Sequence, residues 1–288
     1  MKKFLLKTLL FSTFFIVIYL LLIIANFFAI RNLSFKIPIE KTCVVVGASQ
    51  SAAAIDDNLI SNVFNFSMSG DSYFNQSIRV RHLLENNPQI KTVFISVLPL
   101  NLLVKENNLG PEKLSGLMKT NIDIYYPLHS KEEFLYFWER DPWLYCKSVL
   151  SSPLRIFYAQ NKIYLKELGH YRKTAATCLA HDKRALKQKN FIENKYQLKY
   201  LKKLVKTAQE HNAKIYFISC PLYNSQEYFE IDKFHAVLKK HFPTIEFWNY
   251  EDFPVPDNFR QDINHLNQWG AEIFSRELAR RIEAEGLN

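Results

Sequence analysis

The sequence predicts an α/β protein: a doubly wound, mostly parallel five-stranded sheet with a helical cap insertion and one N-terminal transmembrane helix. Three observations predict it. Five short apolar segments alternate with helical patterns. More than 100 residues separate Leu98 from Lys214, interrupting that alternation. A long apolar run opens the chain.

That run, Leu9 to Ile30, is interrupted only by Ser12, Thr13 and Asn26, and Lys2, Lys3 and Lys7 precede it. About 20 apolar residues rising about 1.5 Å each span a hydrocarbon core of about 30 Å. Lysines at the start favour a cytoplasmic N-terminus and export of the residues beyond the run. A cleavable signal peptide is the alternative, with an apolar region of about 7–15 residues ending in an A-x-A pattern. Here Asn26, Phe27 and Phe28 stand between Ala25 and Ala29. We therefore expect residues 1–31 to be an uncleaved inner-membrane anchor and 32–41 a linker. Residues 42–288 would form one α/β domain facing the periplasm or cell exterior, with the insertion at about 110–185.

The expected strands are Thr42–Val46, Val63–Phe66, Thr92–Leu98, Lys214–Ser219 and Ile245–Asn249. They are rich in Val, Ile and Phe with little alternation, as strands buried on both faces of a parallel sheet read. Helical spacing appears over 72–86, with Ile78, Leu83 and Leu84, and over 191–211, with Tyr196, Leu201, Leu204, Val205 and Ala208. Asn190 is the expected N-cap of the second, with Glu193 three residues later, and a last helix covers about 268–284 behind Asn267.

Parallel neighbours need one crossover, so the long gap demands an insertion. Within it, Asp141-Pro142 and Ser152-Pro153 each read as an N-cap followed by proline at the first helical position. Residues 131–172 hold ten aromatic side chains, Trp138 and Trp143 among them, expected mainly to form the small core of a helical cap over the sheet.

Composition excludes several classes. The net charge of +9 comes from lysines dispersed as on a solvated helix face, such as Lys199, Lys202, Lys203 and Lys206, with no nucleic-acid motif. No C-x-x-C pair exists among Cys43, Cys146, Cys178 and Cys220, which argues against zinc and leaves disulfide pairing open. His82, His129, His170, His181, His211, His235 and His241 lack metal-ligand spacing, so no metal is expected. With only seven glycines and no phosphate loop, no cofactor is expected either. Asp56 and Asp57 read as turn residues.

Ligands of open α/β sheets sit at the carboxyl ends of the strands. The first strand runs into Gly47-Ala48-Ser49-Gln50-Ser51, which exposes Ser49 at the start of a helix. A nucleophile there has backbone N–H groups beside the oxyanion it creates. Far along the chain, Asp262-Ile263-Asn264-His265-Leu266-Asn267 lies between the last strand and the last helix. His265 is placed to take a serine's proton and Asp262 to orient the ring, though each segment alone also reads as an ordinary turn.

Together the two segments resemble the SGNH (GDSL-like) hydrolase superfamily, with Gly47-Ala48-Ser49 as the first block and Asp262 to His265 as the last. Asn65-Phe66-Ser67-Met68-Ser69-Gly70 is similar to the second block, whose glycine supplies an oxyanion N–H. The resemblance implies a flavodoxin-like sheet over about 42–284 and a Ser49, Asp262, His265 triad. It further implies oxyanion or substrate contacts from Ser49, Gly70 and Asn101. Two departures stand out: Ala48 replaces the usual Asp, and the third block, G-x-N-D, is missing, with Asn101 the nearest asparagine after the third strand.

Among these enzymes the string from Phe247 through Gly270-Ala271 to Phe274-Ser275 looks most like the membrane-anchored branch. That branch includes the D-alanine transfer protein of teichoic-acid synthesis and the alginate acetylation proteins. The resemblance implies an envelope esterase or O-acyltransferase acting on an acylated glycan or related polymer beside a multi-spanning membrane acyltransferase. The competing classes are a non-catalytic scaffold or glycan-binding partner of such an acyltransferase, and a lipase or thioesterase.

Overall fold

The structure is a computed structural model that describes residues 1–32, 34–105, 122–159, 171–176, 191–225 and 230–287. Tyr164, His170, Cys178, His181 and Asn190 therefore lie outside the described residues. The chain divides into two compact units: Met1–Ser34 with Asn121–Leu168, and Phe35–Thr120 with Gly169–Asn288.

The larger unit is built on β1 (Cys43–Val46), β2 (Val63–Asn65), β3 (Thr92–Ser96), β6 (Lys214–Ile218) and β7 (Glu246–Trp248). They form one sheet in the order β2-β1-β3-β6-β7, and all four pairings are parallel. This is the α/β sheet expected from the apolar segments. Strand side chains alternate between faces, and here both sets are buried. Val45, Phe94, Tyr216, Ile218 and Trp248 share one core with Phe274, Leu278 and Ile282 of the last helix. Val44, Val46, Val93, Ile95 and Phe217, on the opposite pleat, are each at most 1% exposed.

The first helices are α2 (Ser49–Ala54), α3 (Tyr73–Asn86) and the single turn α4 (Pro99–Leu102). Ser72 caps α3, its hydroxyl accepting from the Asn75 N–H. Ile78, Leu83 and Leu84 turn inward as their spacing predicts. The second long helix differs from expectation at its start. Residues Phe191–Glu193 form strand β5, antiparallel to β4 (Leu103–Lys105), and helix α8 runs Lys195–Glu210. Its N-cap is Asn194, whose Oδ1 accepts from the Gln197 N–H, so the Asn190–Glu193 capping pair is corrected by one helical turn. β-Branched and aromatic residues before a capping Asn favour the pleated strand. Lys199, Lys202 and Lys206 are solvent-exposed and Lys203 half-buried. Helix α10 (Gln268–Ala284) begins where expected, with Asn267 Oδ1 accepting from the Trp269 and Gly270 N–H groups.

The smaller unit contains α1 (Lys2–Arg31), α5 (Ile122–Tyr125), α6 (Lys131–Arg140) and α7 (Pro142–Ala159), so residues 122–159 of the insertion are mainly helical, whereas 171–176 form no helix. Ser130 and Glu133 close a capping box on α6. Asp141 Oδ1 accepts from the Leu144 N–H, which fits Pro142 at the start of α7. Ser152-Pro153 does not start a helix as expected; Pro153 lies inside α7. A proline has no N–H to give the carbonyl four residues back. Here that carbonyl, Val149 O, accepts instead from the Ser152 hydroxyl at 2.7 Å. Phe137 and Tyr145 are buried together at 6.4 Å between ring centroids, while Trp138 and Trp143 face outward.

Cys43 and Cys220 are buried thiols without disulfide partners, as their places at strand ends suggest, and burial pushes Cys220 up to about 12. Cys146 is also free.

Helix α9 (Ile231–His241) carries His235, whose Nε2 lies 2.9 Å from a carboxylate oxygen of the fully buried Glu251 side chain. That hydrogen bond raises the His235 pKa above its ordinary value. The pair's contribution is therefore complete below about pH 6.5 and fades as pH rises through the raised folded-state value. Urea unfolding should show His235→Gln well below the parent at pH 6, with the gap narrowing by pH 9; a pH-independent gap would contradict the linkage.

Candidate active site

In the strand order β2-β1-β3, the chain leaves β1 for one neighbour and returns to its other side. That reversal opens a crevice at the carboxyl ends of β1 and β3. Gly47 follows β1 there. A β-carbon on it would lie 2.6 Å from Ser96 Cβ and closer still to Ser51 Oγ, so only glycine lets the chain turn this tightly. Ala48 is the N-cap of α2 and Ser49 its first residue.

Residues 260–266 form a small hairpin: Arg260 pairs with Leu266, and Gln261 N–H donates to His265 O at 2.9 Å. Asp262 Oδ1 accepts from the Asn264 and His265 N–H groups, both at 2.8 Å. His265 Nδ1 stands 2.8 Å from both oxygens of the same carboxylate, and His265 Nε2 stands 2.8 Å from Ser49 Oγ. An ionised carboxylate only accepts, so Nδ1 carries the proton and Nε2 is left to accept from the serine hydroxyl. Ser49 and the Asp262–His265 pair, more than 200 residues apart in sequence, thus form one hydrogen-bonded chain.

Burial alone would raise the Asp262 carboxyl. The His265 hydrogen bond and charge, with the two backbone N–H groups, outweigh it and hold Asp262 below the usual carboxylate value. The Asp262 and His265 side chains are 18% and 19% exposed, which leaves them reachable from solvent.

Gly70 lies in the loop after β2, with φ at 78°, the left-handed region that glycine enters without penalty. That loop is tied to β1: Met68 N–H donates to Gly47 O at 3.1 Å. Among the described residues, neither the Ser49 nor the Gly70 N–H donates to a protein acceptor. Asn101 sits buried in α4, its N–H bonded to Leu98 O. Asp56 caps a 3-10 turn at Asp57–Leu59, and Asp57 accepts from the Asn65 N–H. No three His, Cys, Asp or Glu side chains cluster as metal ligands would, among the described residues.

Two supports escaped sequence reasoning. Arg79, on the inward face of α3, pairs with Asp71 at 2.6 Å; both side chains are at most 2% exposed. Its other arm donates to Phe66 O at 2.9 Å, and the guanidinium lies 4.1 Å from the centre of the Phe66 ring. One residue thus clamps both ends of the loop that carries Gly70. An arginine between Ile78 and Val80 in a helical pattern was the only signal. The second support is the segment 171–176. Arg172 N–H donates to Ala52 O in α2, its guanidinium reaches Gln261 Oε1 at 3.2 Å, and Thr174 O accepts from the Gln268 N–H. Helix α2, the hairpin that carries His265 and the start of α10 are joined by these six residues.

No family model matches the chain, and no curated protein matches it by sequence. Two solved structures have a similar chain course. A "putative acylhydrolase" from Bacteroides fragilis is 12% identical, with a TM-score of 0.42, over 85% of this chain and 88% of that one. A "GDSL-like lipase" from Bacteroides thetaiotaomicron is 14% identical, with a TM-score of 0.41, over 88% and 93%. Function is therefore read from the side chains of this chain.

Removing one partner of a buried pair costs about 3–5 kcal/mol, because the other charge stays buried. Arg79→Met should lower unfolding free energy by that amount in urea titration. Arg79→Met with Asp71→Leu should recover much of it; a double variant no better than the single would assign the loss to Arg79 packing alone.

Proposed function

We propose that this chain is a serine-dependent acyl-ester enzyme of the SGNH type. The hydrogen-bonded chain from Asp262 through His265 to Ser49 supports it most directly, with 2.8 Å at each contact. Such distances are within the reach proton transfer needs, about 2.6–3.2 Å.

Ser49 Oγ attacks the ester carbonyl and its proton passes to His265 Nε2. Asp262 holds the ring in the required tautomer and balances the imidazolium. The carbonyl oxygen becomes an oxyanion, which the Ser49 and Gly70 N–H groups are free to bind. The tetrahedral adduct collapses, the leaving alcohol takes the proton from His265, and an acyl-Ser49 ester remains. A second hydroxyl, from water or an acceptor, then attacks while His265 takes its proton, and Ser49 is restored. Water as acceptor makes an esterase; a polymer hydroxyl makes an O-acyltransferase.

The apolar helix α1, with a mean hydropathy of 2.7 over its best window, supports anchoring in the cytoplasmic membrane. Lys2, Lys3 and Lys7 at its start favour a catalytic unit outside the cytoplasm. The resemblance to the membrane-anchored branch favours an acylated envelope glycan as substrate and a multi-spanning acyltransferase as partner.

A fluorophosphonate probe should label the purified protein at Ser49. Ser49→Ala should abolish labelling with little change in the urea midpoint and lower ester turnover about 10⁶-fold, and His265→Ala by a similar factor; Asp262→Asn should lower it about 10⁴-fold. Undiminished labelling of Ser49→Ala would place the nucleophile elsewhere. Protease added to spheroplasts should digest the chain beyond residue 42 and leave no soluble mature form in the medium; protection of that part would reverse the topology.

A further inference from the structure

We infer that helices α6 and α7 lie in the outer-leaflet interface of the lipid bilayer, seated against the anchor helix. This rests on reading α1 as a membrane anchor. The residues of α1 that are covered are Tyr19, Leu22, Ile23, Asn26, Phe27 and Ile30, one stripe at helical spacing that begins only at residue 19. Helix α1 packs on α7 and on the turn Tyr126–Leu128. The Tyr19 hydroxyl donates to Leu150 O in α7, and the Phe27 and Tyr126 rings lie 6.1 Å apart.

The contact with Leu150 fixes a depth. A spanning stretch of about 20 residues that leaves Lys2 and Lys3 among the cytoplasmic headgroups falls between 4–23 and 11–30. Every such stretch contains Tyr19. At about 1.5 Å per residue, Tyr19 lies about 6–17 Å inside the outer edge of the hydrocarbon. Leu150, bonded to it, shares that depth. Interfacial helices bury their apolar faces about 5–10 Å, so the shallow end of the range suits α7.

The outward face of α7 fits lipid. Trp143, Lys147 and Leu150 stand at i, i+4 and i+7, with Trp143 75% and Leu150 50% exposed. A lysine there can snorkel its ammonium to the headgroups while its stem stays in the apolar layer. Trp143 is seven residues from Leu150, so its backbone lies at most about 10 Å from that depth, within reach of the headgroup level where tryptophan concentrates. On α6 the exposed Leu135 and Trp138 are in the middle, while the exposed charges Lys131, Glu132, Glu139 and Arg140 occupy the two ends. The backbone of α7 is prepared as well. The carbonyl that Pro153 deprives of its donor is satisfied by the Ser152 hydroxyl, the solution required where water cannot serve.

Bromolipid quenching tests this on the full-length protein in vesicles of phosphatidylcholine and phosphatidylglycerol, brominated at mid-chain. The chain has four tryptophans, and Trp248 is fully buried. Part of the emission should be quenched by lipid bromine, and Trp138→Phe with Trp143→Phe should remove that part. Adding Phe15→Trp to the double variant reports the anchor separately and should restore lipid quenching. If Phe15→Trp is quenched by bromolipid while Trp138 and Trp143 are quenched only by aqueous iodide, the face meets water or a protein partner and the proposal is overturned. An unquenched Phe15→Trp removes the anchor itself, and the proposal with it.

Discussion

The candidate site depends on how closely the chain passes itself at the end of β1. Gly47 has no room for a side chain between Ser51 and Ser96, and this permits β1 to turn at once into α2 beside β3. That one contact has three consequences. Ser49 emerges at the sheet's carboxyl edge, at the switch point where the strand order reverses. The Gly47 carbonyl stays open to accept from Met68, which brings the second loop alongside. The Ser49 N–H at the start of α2 is left there without a protein acceptor among the described residues. A larger residue would displace all three together, because the neighbours are a strand side chain and the helix it feeds.

Around this turn several buried polar side chains fasten loops. Asn65 donates to Ser51 O and Ile55 O and accepts from Ser67 N–H, joining both ends of α2 to the loop after β2. Ser275 accepts from Asp56 N–H and donates to Ala54 O, joining α10 to the end of α2. Arg79 and Asp71 hold the far side. Each bond alone contributes about 1 kcal/mol, yet an orphaned partner costs more than the bond supplies. The loops are therefore held by the penalty of opening them as much as by the bonds themselves. Such holding suits catalysis, where a displacement of about 1 Å costs orders of magnitude in rate.

Much of the fold was legible because it rests on patterns with a fixed period. The strands read as apolar runs, since both pleat faces are buried; α3 read through Ile78, Leu83 and Leu84 at helical spacing, and α10 through Asn267 at its cap. The contact among Ser49, Asp262 and His265 was legible because each lies beyond a strand's carboxyl end, at or before the helix that follows, and these connections converge in this topology. The features that escaped have no period. The start of α8 is hidden by the three-residue strand Phe191–Glu193, too short to show alternation, and its partner β4 is equally short. Pro153 reads as a helix start because the rescue of Val149 O by Ser152 is written in a single hydroxyl. Arg79 carries no pairing signal, since its partner Asp71 lies eight residues away, outside the reach of a helical pair.

The remaining chemical question is what separates transfer from hydrolysis at such a site. The His265 and Asp262 side chains are each nearly one-fifth exposed, so water would reach an acyl group if Ser49 carried one as proposed. An acceptor hydroxyl competes only if it is held in line, where effective concentrations of about 10⁵–10⁸ M become available. Holding requires contacts outside the triad, on elements that move as one with it. The segment 171–176 has that character, since it bonds to α2, to Gln261 and to the start of α10 at once. Tyr171 at its head, with Trp269 and Gln268 from α10 and the carboxylates of Asp56 and Glu272, lines an open depression on the same unit. A bound acceptor touching this wall would therefore be referenced to Ser49 and His265 through short, hydrogen-bonded paths. On the proposed mechanism, selectivity for transfer would then reside in this segment rather than in Ser49 and His265, which treat water and an alcohol alike.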